Sequence, residues 1–263
     1  MANIIKPLQL AVHQQVLEQN NEFHYIVSAT MGVRLSTGEA LLEFDFFKEA
    51  FEHMGDKPLP DMGMPKPQAE YVVSGSYYAP ENKEVTAGEI KVKVADKEKS
   101  LFVFGEREWV MGAPTKPEPI TSMPLTYSNA YGGNGYESNP DGIGYDDIKL
   151  PLIENPDQLL TSNKQNIQPA GLSPLDLSLP QRMQYQGTYD DTYLDKYYPG
   201  YPEDFDWRFF MSTAQDQWQE NYFIGNELFE LHNLHPENSV INGKLPGYVT
   251  RCFMQQKVGE TTQ

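Results

Sequence analysis

The chain is 263 residues long, with 37 acidic and 20 basic side chains and a formal net charge of -17. Such an acidic protein repels phosphate backbones, which argues against nucleic acid as a partner. A chain of this length can bury a sizeable core without a disulfide or a structural metal, and the single cysteine, Cys252, has no partner for an intramolecular disulfide.

The charge is unevenly distributed along the chain. Residues 1–131 hold 18 acidic and 12 basic side chains, whereas residues 132–263 hold 19 acidic and 8 basic ones. Such a balance allows the second half to attract basic protein surfaces, although a solvated acidic exterior is its commoner cause. Residues 1–24 lack the apolar run of a signal peptide and no segment approaches the length of a membrane span, so we expect a cytoplasmic protein without a membrane partner.

The first hundred or so residues contain short segments rich in β-branched and aromatic side chains, which predict strands. These segments are residues 24–35, 70–79, 88–95 and 99–110. Along residues 88–95, Ile90, Val92 and Val94 alternate with lysines, a pattern typical of a sheet with one face in water. Two later segments, residues 226–234 and 247–256, also resemble strands.

Helix and loop signals complete the predicted fold. Helical spacing in residues 44–55 predicts a short helix, and the prolines of residues 57–68 predict an irregular connector. We therefore predict a mainly β protein with sandwich-like antiparallel sheets, a few short helices and a long ordered loop region rich in proline, glycine and aromatic residues. Residues 1–263 would form one domain, or two packed lobes at 1–112 and 113–263.

The segment at residues 123–145 combines many glycines with the side chains Tyr127, Tyr131, Tyr136 and Tyr145. Successive tight turns are expected, since glycine, proline and Asn or Asp favour them; Gly132 and Gly133 belong to this set, with Gly135, Pro140, Asp141, Gly142 and Gly144. Tyrosine is well suited to protein interfaces because it offers a large ring and a polar tip. The alternative is that these rings are the packed core of an irregular loop.

Chemical motifs are weak throughout the chain. His232 and His235 lie near Glu227 and Glu230, but a zinc site also needs a third ligand, so a structural role is favoured. Asp204 and Asp206 could bind a cation, although a salt bridge to Arg208 or a turn cap is simpler. Asp190, Asp191 and Asp195 indicate the start of a short helix. No motif for hydrolysis, phosphoryl transfer or redox chemistry, and none for a bound cofactor, is found; this absence by itself supports a binding role only weakly.

A series of spaced motifs carries a family resemblance. They run from FGEREW (104–109) through SMPLTYSNAYGG, NPDGIGY, LPLIENPDQLL, PAGLSPL, LPQR, GTYDDTY, DFDWRFF and NLHP to LPG (245–247). In this order they resemble the domain-of-unknown-function family DUF2169, over about residues 71–247. The chain departs from the family pattern at two places. Leu179 stands where a tryptophan is common, and MSTAQDQ follows DFDWRFF in place of an asparagine-alanine-proline version.

The resemblance implies a bacterial, non-enzymatic function in type VI secretion. Members of the family are encoded beside the spike proteins VgrG and PAAR, which implies an adaptor or chaperone that loads an effector, often through its PAAR-like region, onto the spike. The expected partners are then the effector or PAAR-like protein and VgrG. As binding residues we predict Tyr127, Tyr131, Gly132, Gly133, Tyr136 and Tyr145, with Trp207, Phe210, Asp204, Asp206 and Arg208. The alternatives are a metal-dependent hydrolase and a structural component secreted with the spike.

Overall fold

The computed structural model describes residues 11–19, 22–30, 32–35, 37, 39–40 and 66–245. The predicted helix at 44–55, most of the connector at 57–68 and the predicted strand at 247–256 lie outside the described residues, as does Cys252. Within the described part, no helix is both long enough and apolar enough to cross a lipid bilayer.

Strands are the main regular elements of the described chain. The first nine are β1 (Ala11–Gln19), β2 (Glu22–Thr30), β3 (Val33–Arg34), β4 (Glu39–Ala40), β5 (Ala69–Glu70), β6 (Ser76–Tyr78), β7 (Ala87–Val94), β8 (Lys97–Phe104) and β9 (Trp109–Val110). The others are β10 (Ala113–Pro114), β11 (Ser122–Pro124), β12 (Tyr131–Gly132), β13 (Ile143–Gly144), β14 (Ile153–Glu154), β15 (Trp218–Gln219), β16 (Leu228–His232) and β17 (Val240–Lys244). The predicted mainly β class with antiparallel sheets and few short helices is confirmed.

Helices in the described part are short. The α-helices are α1 (Pro180–Met183) and α2 (Asp191–Lys196), and single 3-10 turns cover Pro80–Asn82, Tyr127–Asn129, Trp207–Phe210 and Gln215–Gln217. The side chain of Asp190 accepts a hydrogen bond from the backbone N–H of Tyr193 at 2.9 Å, which caps α2. The helix start predicted from the aspartates is therefore confirmed.

A five-stranded antiparallel sheet, in the order β14-β8-β7-β16-β17, lies at the centre of the described fold. Its β7–β8 hairpin pairs Ile90 with Leu101 and Val92 with Lys99. The side chains of Ile90, Val92 and Val94 are buried, as their alternation predicted. The strand predicted at 226–234 is confirmed as β16, and the one at 24–35 as β2 with β3.

Residues 70–79 do not form the continuous strand that their composition predicts. Only β5 and β6 are strands there, because the backbone N–H groups between them bond to distant loops. The N–H of Tyr71 donates to the carbonyl of Gln217 and that of Val73 to the carbonyl of Leu172. The predicted strand at 99–110 likewise stops at Phe104 and resumes as β9, which pairs with β10 in a separate hairpin.

The main core packs the inner face of the five-stranded sheet against segments from both halves of the chain. Its buried side chains include Ile90, Leu101, Val103, Leu125, Ile153, Leu172 and Phe229. A second buried cluster joins Tyr131, Leu150, Leu160 and Ile167, with Trp109, Tyr136 and Tyr145 packed against it. The tyrosine segment thus has a core of its own beneath it.

Glu70 fastens the chain after Phe210 to β5. Its carboxylate accepts hydrogen bonds from the N–H and hydroxyl groups of Ser212 and Thr213, at 2.7 to 3.0 Å, and pairs with Lys66. Burial by itself raises the pKa of Glu70, but Lys66 and these hydrogen bonds outweigh that effect and hold the pKa below its ordinary value of 4.5.

We expect Glu70→Gln to lower the free energy of unfolding by about 2 kcal/mol at pH 7, because the amide loses both the charge and one acceptor oxygen. A carboxyl group with a lowered pKa stabilises the folded state above its unfolded pKa, and this contribution is lost as the pH falls through the folded value. The difference in denaturation midpoint between the two proteins should therefore narrow below pH 4.5. A difference that stays constant down to pH 3 would contradict the lowered pKa.

Candidate protein-binding surface

The segment at residues 127–145 folds into a tight loop around the buried side chain of Asn139. The Asn139 amide donates to the carbonyl oxygens of Tyr127 at 2.7 Å and Tyr131 at 3.0 Å. The short strands β12 and β13 pair in parallel beside it, and Gly133 donates its N–H to the Asn139 carbonyl at 3.0 Å. Gly133 has φ of 140°, a conformation that glycine adopts far more readily than other residues.

Three rings of this loop form one cluster. The ring centres of Tyr131 and Tyr136 lie 5.2 Å apart, and those of Tyr136 and Tyr145 also lie 5.2 Å apart. Tyr131 is only 2% exposed, and its hydroxyl donates to Asn166 Oδ1 at 2.9 Å, while the Tyr136 hydroxyl donates to the Ile167 carbonyl at 3.0 Å. Tyr131 therefore supports the loop from inside, whereas Tyr136 and Tyr145 are half-buried and keep part of each ring at the surface.

Tyr127 is half-buried, with its ring against Gly171. A Cβ atom placed on Gly171 would approach its ring to 2.7 Å, so the glycine of the PAGLSPL motif makes room for this tyrosine. Burial raises the pKa of Tyr127, and it does the same for Tyr131 and Tyr136. A phenol at the ordinary tyrosine pKa of 10 is already protonated at neutral pH, as the donor roles of Tyr131 and Tyr136 require, and burial acts in the same direction.

A second aromatic cluster surrounds the DFDWRFF motif. The rings of Tyr201 and Phe205 stack with centres 4.1 Å apart, and Trp207, Phe209 and Phe210 pack around them at 5.4 to 6.1 Å. Phe210 is buried and Trp207 is half-buried. Trp207 and Phe210, the predicted aromatic residues of this motif, thus belong to one packed unit, in which Trp207, like Tyr201, Phe205 and Phe209, keeps part of its ring at the surface.

The polar residues of the motif have internal partners. Asp206 accepts from the backbone N–H of Arg208 at 2.9 Å and from its Nε at 2.8 Å, and the guanidinium lies 4.7 Å above the Tyr185 ring. Asp204 accepts from the N–H of Thr188 at 2.9 Å and from its hydroxyl at 2.7 Å. These bonds lower the pKa of each aspartate. The simpler sequence interpretation, a turn cap and a salt bridge, is the one that the structure shows for Asp206.

Helix α1 joins the two aromatic regions. The Gln181 amide donates to the Ser138 carbonyl in the tyrosine loop at 3.0 Å. Arg182, which is buried, donates to the Phe209 carbonyl from two nitrogens at 2.8 and 3.1 Å and to the Leu175 carbonyl at 3.1 Å. The LPQR motif is therefore bonded to two regions that are far apart in the chain.

A third aromatic surface, around α2, was not among the predicted binding residues. Tyr189 is 52% exposed and Tyr198 is 68% exposed, and the ring of Tyr193 lies between them with centres 4.6 and 6.3 Å away. An open groove of about 340 Å³ runs beside them; its lining is Thr188, Asp190, Thr192, Tyr193, Tyr197, Pro202, Glu203 and Asp204. The exposure of these rings depends on tertiary packing and has no signal in the neighbouring sequence.

The histidines that suggested a metal site are engaged separately. His232 contacts Glu230, its neighbour on the same face of β16, whereas His235 Nδ1 accepts from the N–H groups of Glu237 at 3.1 Å and Asn238 at 3.2 Å. Among the residues that the structure describes, no three His, Cys, Asp or Glu side chains converge in an arrangement that could hold a metal ion. The geometry gives these histidines a structural place at the end of β16.

These features define a mainly β protein with antiparallel sheets and few short helices. The profile of the family DUF2169, described as an uncharacterized protein conserved in bacteria, matches residues 19–263, and the chain therefore belongs to that family. The resemblance carried by the spaced motifs is thus confirmed. The search of curated proteins and the search of solved structures each returned no match for the chain.

Proposed function

We propose that this protein is a cytoplasmic, non-enzymatic adaptor or chaperone for type VI secretion. It binds an effector through the effector's PAAR-like region and helps to load that effector onto the VgrG spike. Two observations support the proposal. The first is membership of DUF2169, with the role that the motif resemblance implies for that family. The second is the set of exposed tyrosine rings around α2.

The observation that carries the proposal is a set of exposed tyrosine rings on a firmly bonded base. Tyr189, Leu194 and Tyr198 are each more than half exposed. Beneath them, the Tyr193 hydroxyl donates to the Gly200 carbonyl at 3.2 Å and Asp204 holds Thr188. Rings that are already fixed lose little entropy on binding, and buried aromatic anchors contribute most of the energy in many protein interfaces.

The tyrosine loop and the DFDWRFF motif supply further contacts in the proposal. Tyr136, Tyr145 and Trp207 keep part of their rings at the surface, so they are the direct contacts that we propose. The other predicted binding residues support the shape of these surfaces: the buried Tyr131 and Phe210 from inside, the half-buried Tyr127 through its packing on Gly171, Gly132 and Gly133 through the backbone, and Asp204, Asp206 and Arg208 through internal hydrogen bonds.

We expect Tyr189→Ala and Tyr145→Ala each to weaken effector binding by about 2 kcal/mol, or roughly thirtyfold in Kd, because each removes an interface ring. The matched control is Tyr222→Ala, since Tyr222 is also exposed, at 64%, but lies on the loop after β15. Affinity is measured by calorimetry with the purified effector, and folding by the thermal transition. Full affinity in both folded variants would refute this placement of the surface.

The function itself is tested by co-purification from cells that express the neighbouring secretion genes. An adaptor should retain an effector, a PAAR-like protein or VgrG in the cytoplasmic fraction. Retention of none of them would overturn the proposed function. Recovery of this protein with the spike in the culture supernatant would instead favour a structural component of the secreted spike.

A further inference from the structure

We propose that the groove beside α2 binds a lysine- or arginine-rich segment of a partner protein, with the cationic side chains lying against its tyrosine rings. The partner is the cargo of the proposed function, on which this part of the inference rests. The chemistry of the groove itself follows from its shape, its rings and its charges.

The groove offers space and aromatic rings to a cationic side chain. A groove of about 340 Å³ is large enough for one or two long side chains, and it is open to solvent. Tyr193 and Tyr197 contribute rings to its lining, and the exposed Tyr189 and Tyr198 lie next to Tyr193. A cation over a tyrosine ring is attracted by about 0.5–1 kcal/mol at an exposed site.

Charge complementarity identifies the occupant. Residues 188–204 contain five carboxylates, at Asp190, Asp191, Asp195, Glu203 and Asp204, and one cation, Lys196. Within the described part of the chain, none of these carboxylates forms a salt bridge. The region therefore carries a local excess of negative charge that favours a cationic segment and disfavours a second copy of a chain whose own net charge is -17.

The carboxylates that line the groove are also oriented. Asp190 Oδ1 accepts from the Tyr193 N–H at 2.9 Å, and Glu203 Oε2 accepts from the Tyr197 hydroxyl at 2.7 Å. The other oxygen of each carboxylate accepts no hydrogen bond from the described residues and is free for an ammonium or guanidinium group. Charge-assisted hydrogen bonds of this kind are stronger than neutral ones.

The pairing of each carboxylate with one internal donor permits a nearly isosteric test. In the double variant Asp190→Asn, Glu203→Gln, asparagine caps a helix about as well as aspartate, and the glutamine oxygen can still accept from Tyr197. Two negative charges are lost while the shape of the groove is kept. The matched control is Glu84→Gln, Glu106→Gln, which removes the same charge from exposed side chains that have no hydrogen bond in the described part.

The probe is a fluorescent twelve-residue peptide of alternating arginine and glycine, titrated against the full chain by anisotropy at low and physiological salt. A glutamate–glycine peptide serves as the negative probe. We expect the groove variant to bind the arginine peptide about tenfold more weakly than the parent, since two near-surface charge pairs are lost, and the control variant to bind within about twofold. The thermal transition of each variant reports folding, and Glu203→Gln alone replaces the double variant if the latter does not fold.

Each outcome decides the matter. Equal weakening in the groove and control variants would mean that the general field of the acidic chain attracts the peptide, and it would overturn the groove assignment. Unchanged binding in the groove variant would overturn it as well. If the groove variant loses the peptide but retains purified effector at full affinity, the groove is not the cargo site. If the peptide binds in a groove-dependent way but no cargo is recovered from cells, the adaptor function is refuted and the assignment of a cationic ligand to the groove is still supported.

Discussion

Replacing Arg107 with alanine should lower the free energy of unfolding by about 3–5 kcal/mol, because it leaves a buried carboxylate without its cation. Arg107, in the FGEREW motif, pairs with Glu154, whose side chain is only 1% exposed. Arg107 also donates to the Pro151 carbonyl at 2.7 Å and lies 3.8 Å above the Phe104 ring. Glu154 accepts from the Leu160 N–H at 2.7 Å, so the pair ties β8 and the chain after it to the segment beneath the tyrosine loop.

The control for this prediction is Arg208→Ala. Arg208 also pairs with an acidic residue, Asp206, but its side chain is 46% exposed, and exposed pairs contribute at most about 1 kcal/mol. Guanidinium denaturation of both variants, with the parent protein alongside, compares them. Losses of similar size in the two variants would contradict the assignment of Arg107–Glu154 as the buried ion pair on which this region depends.

Replacing Gly132 with alanine should cost about 3 kcal/mol or disorder the tyrosine loop, because the new methyl group would overlap backbone. A Cβ atom at this position would lie 2.1 Å from the carbonyl oxygen of Asn139 and 2.9 Å from its side chain. Asn139 is the buried centre of the loop, so relief of the overlap would separate β12 from it and displace Tyr131. The loss should appear both in the denaturation midpoint and in the near-ultraviolet circular dichroism of the tyrosine cluster.

Gly75→Ala provides the comparison for this substitution. A Cβ atom on Gly75 would meet nothing within 4 Å, so alanine should change stability by less than about 1 kcal/mol. If Gly132→Ala were as mild as Gly75→Ala, the close approach of β12 to Asn139 would be wrong.

Local patterns in the sequence predicted those parts of the fold that depend on neighbouring residues. The alternation of Ile90, Val92 and Val94 required one buried face whichever strands lay beside β7, and Asp190 could cap α2 without any distant contact. The strand predicted at 70–79 failed for the opposite reason. Its side chains favour extended backbone, but the carbonyls that receive the N–H groups of Val73 and Tyr71, at Leu172 and Gln217, are 99 and 146 residues away.

In the candidate site, too, local properties could be recognised from the sequence and long-range contacts could not. Its turn residues and rings could be recognised from composition, because glycine and tyrosine have properties that hold in any context. Which rings reach the surface could not be recognised: Tyr131 is buried against Ile167 and Leu160, whereas Tyr189, which was not chosen, is exposed. The Arg107–Glu154 pair also joins residues 47 positions apart, and the sequence around either residue does not indicate its partner.

The sequence by itself therefore determined the family, the mainly β class, the acidic character and the dense turns of the tyrosine segment. Only the tertiary structure decided which aromatic side chains form a core, which form a surface, and that α1 holds two distant regions together. The physical reason is that conformational preference and charge belong to single residues and their neighbours, whereas burial is a property of long-range contacts.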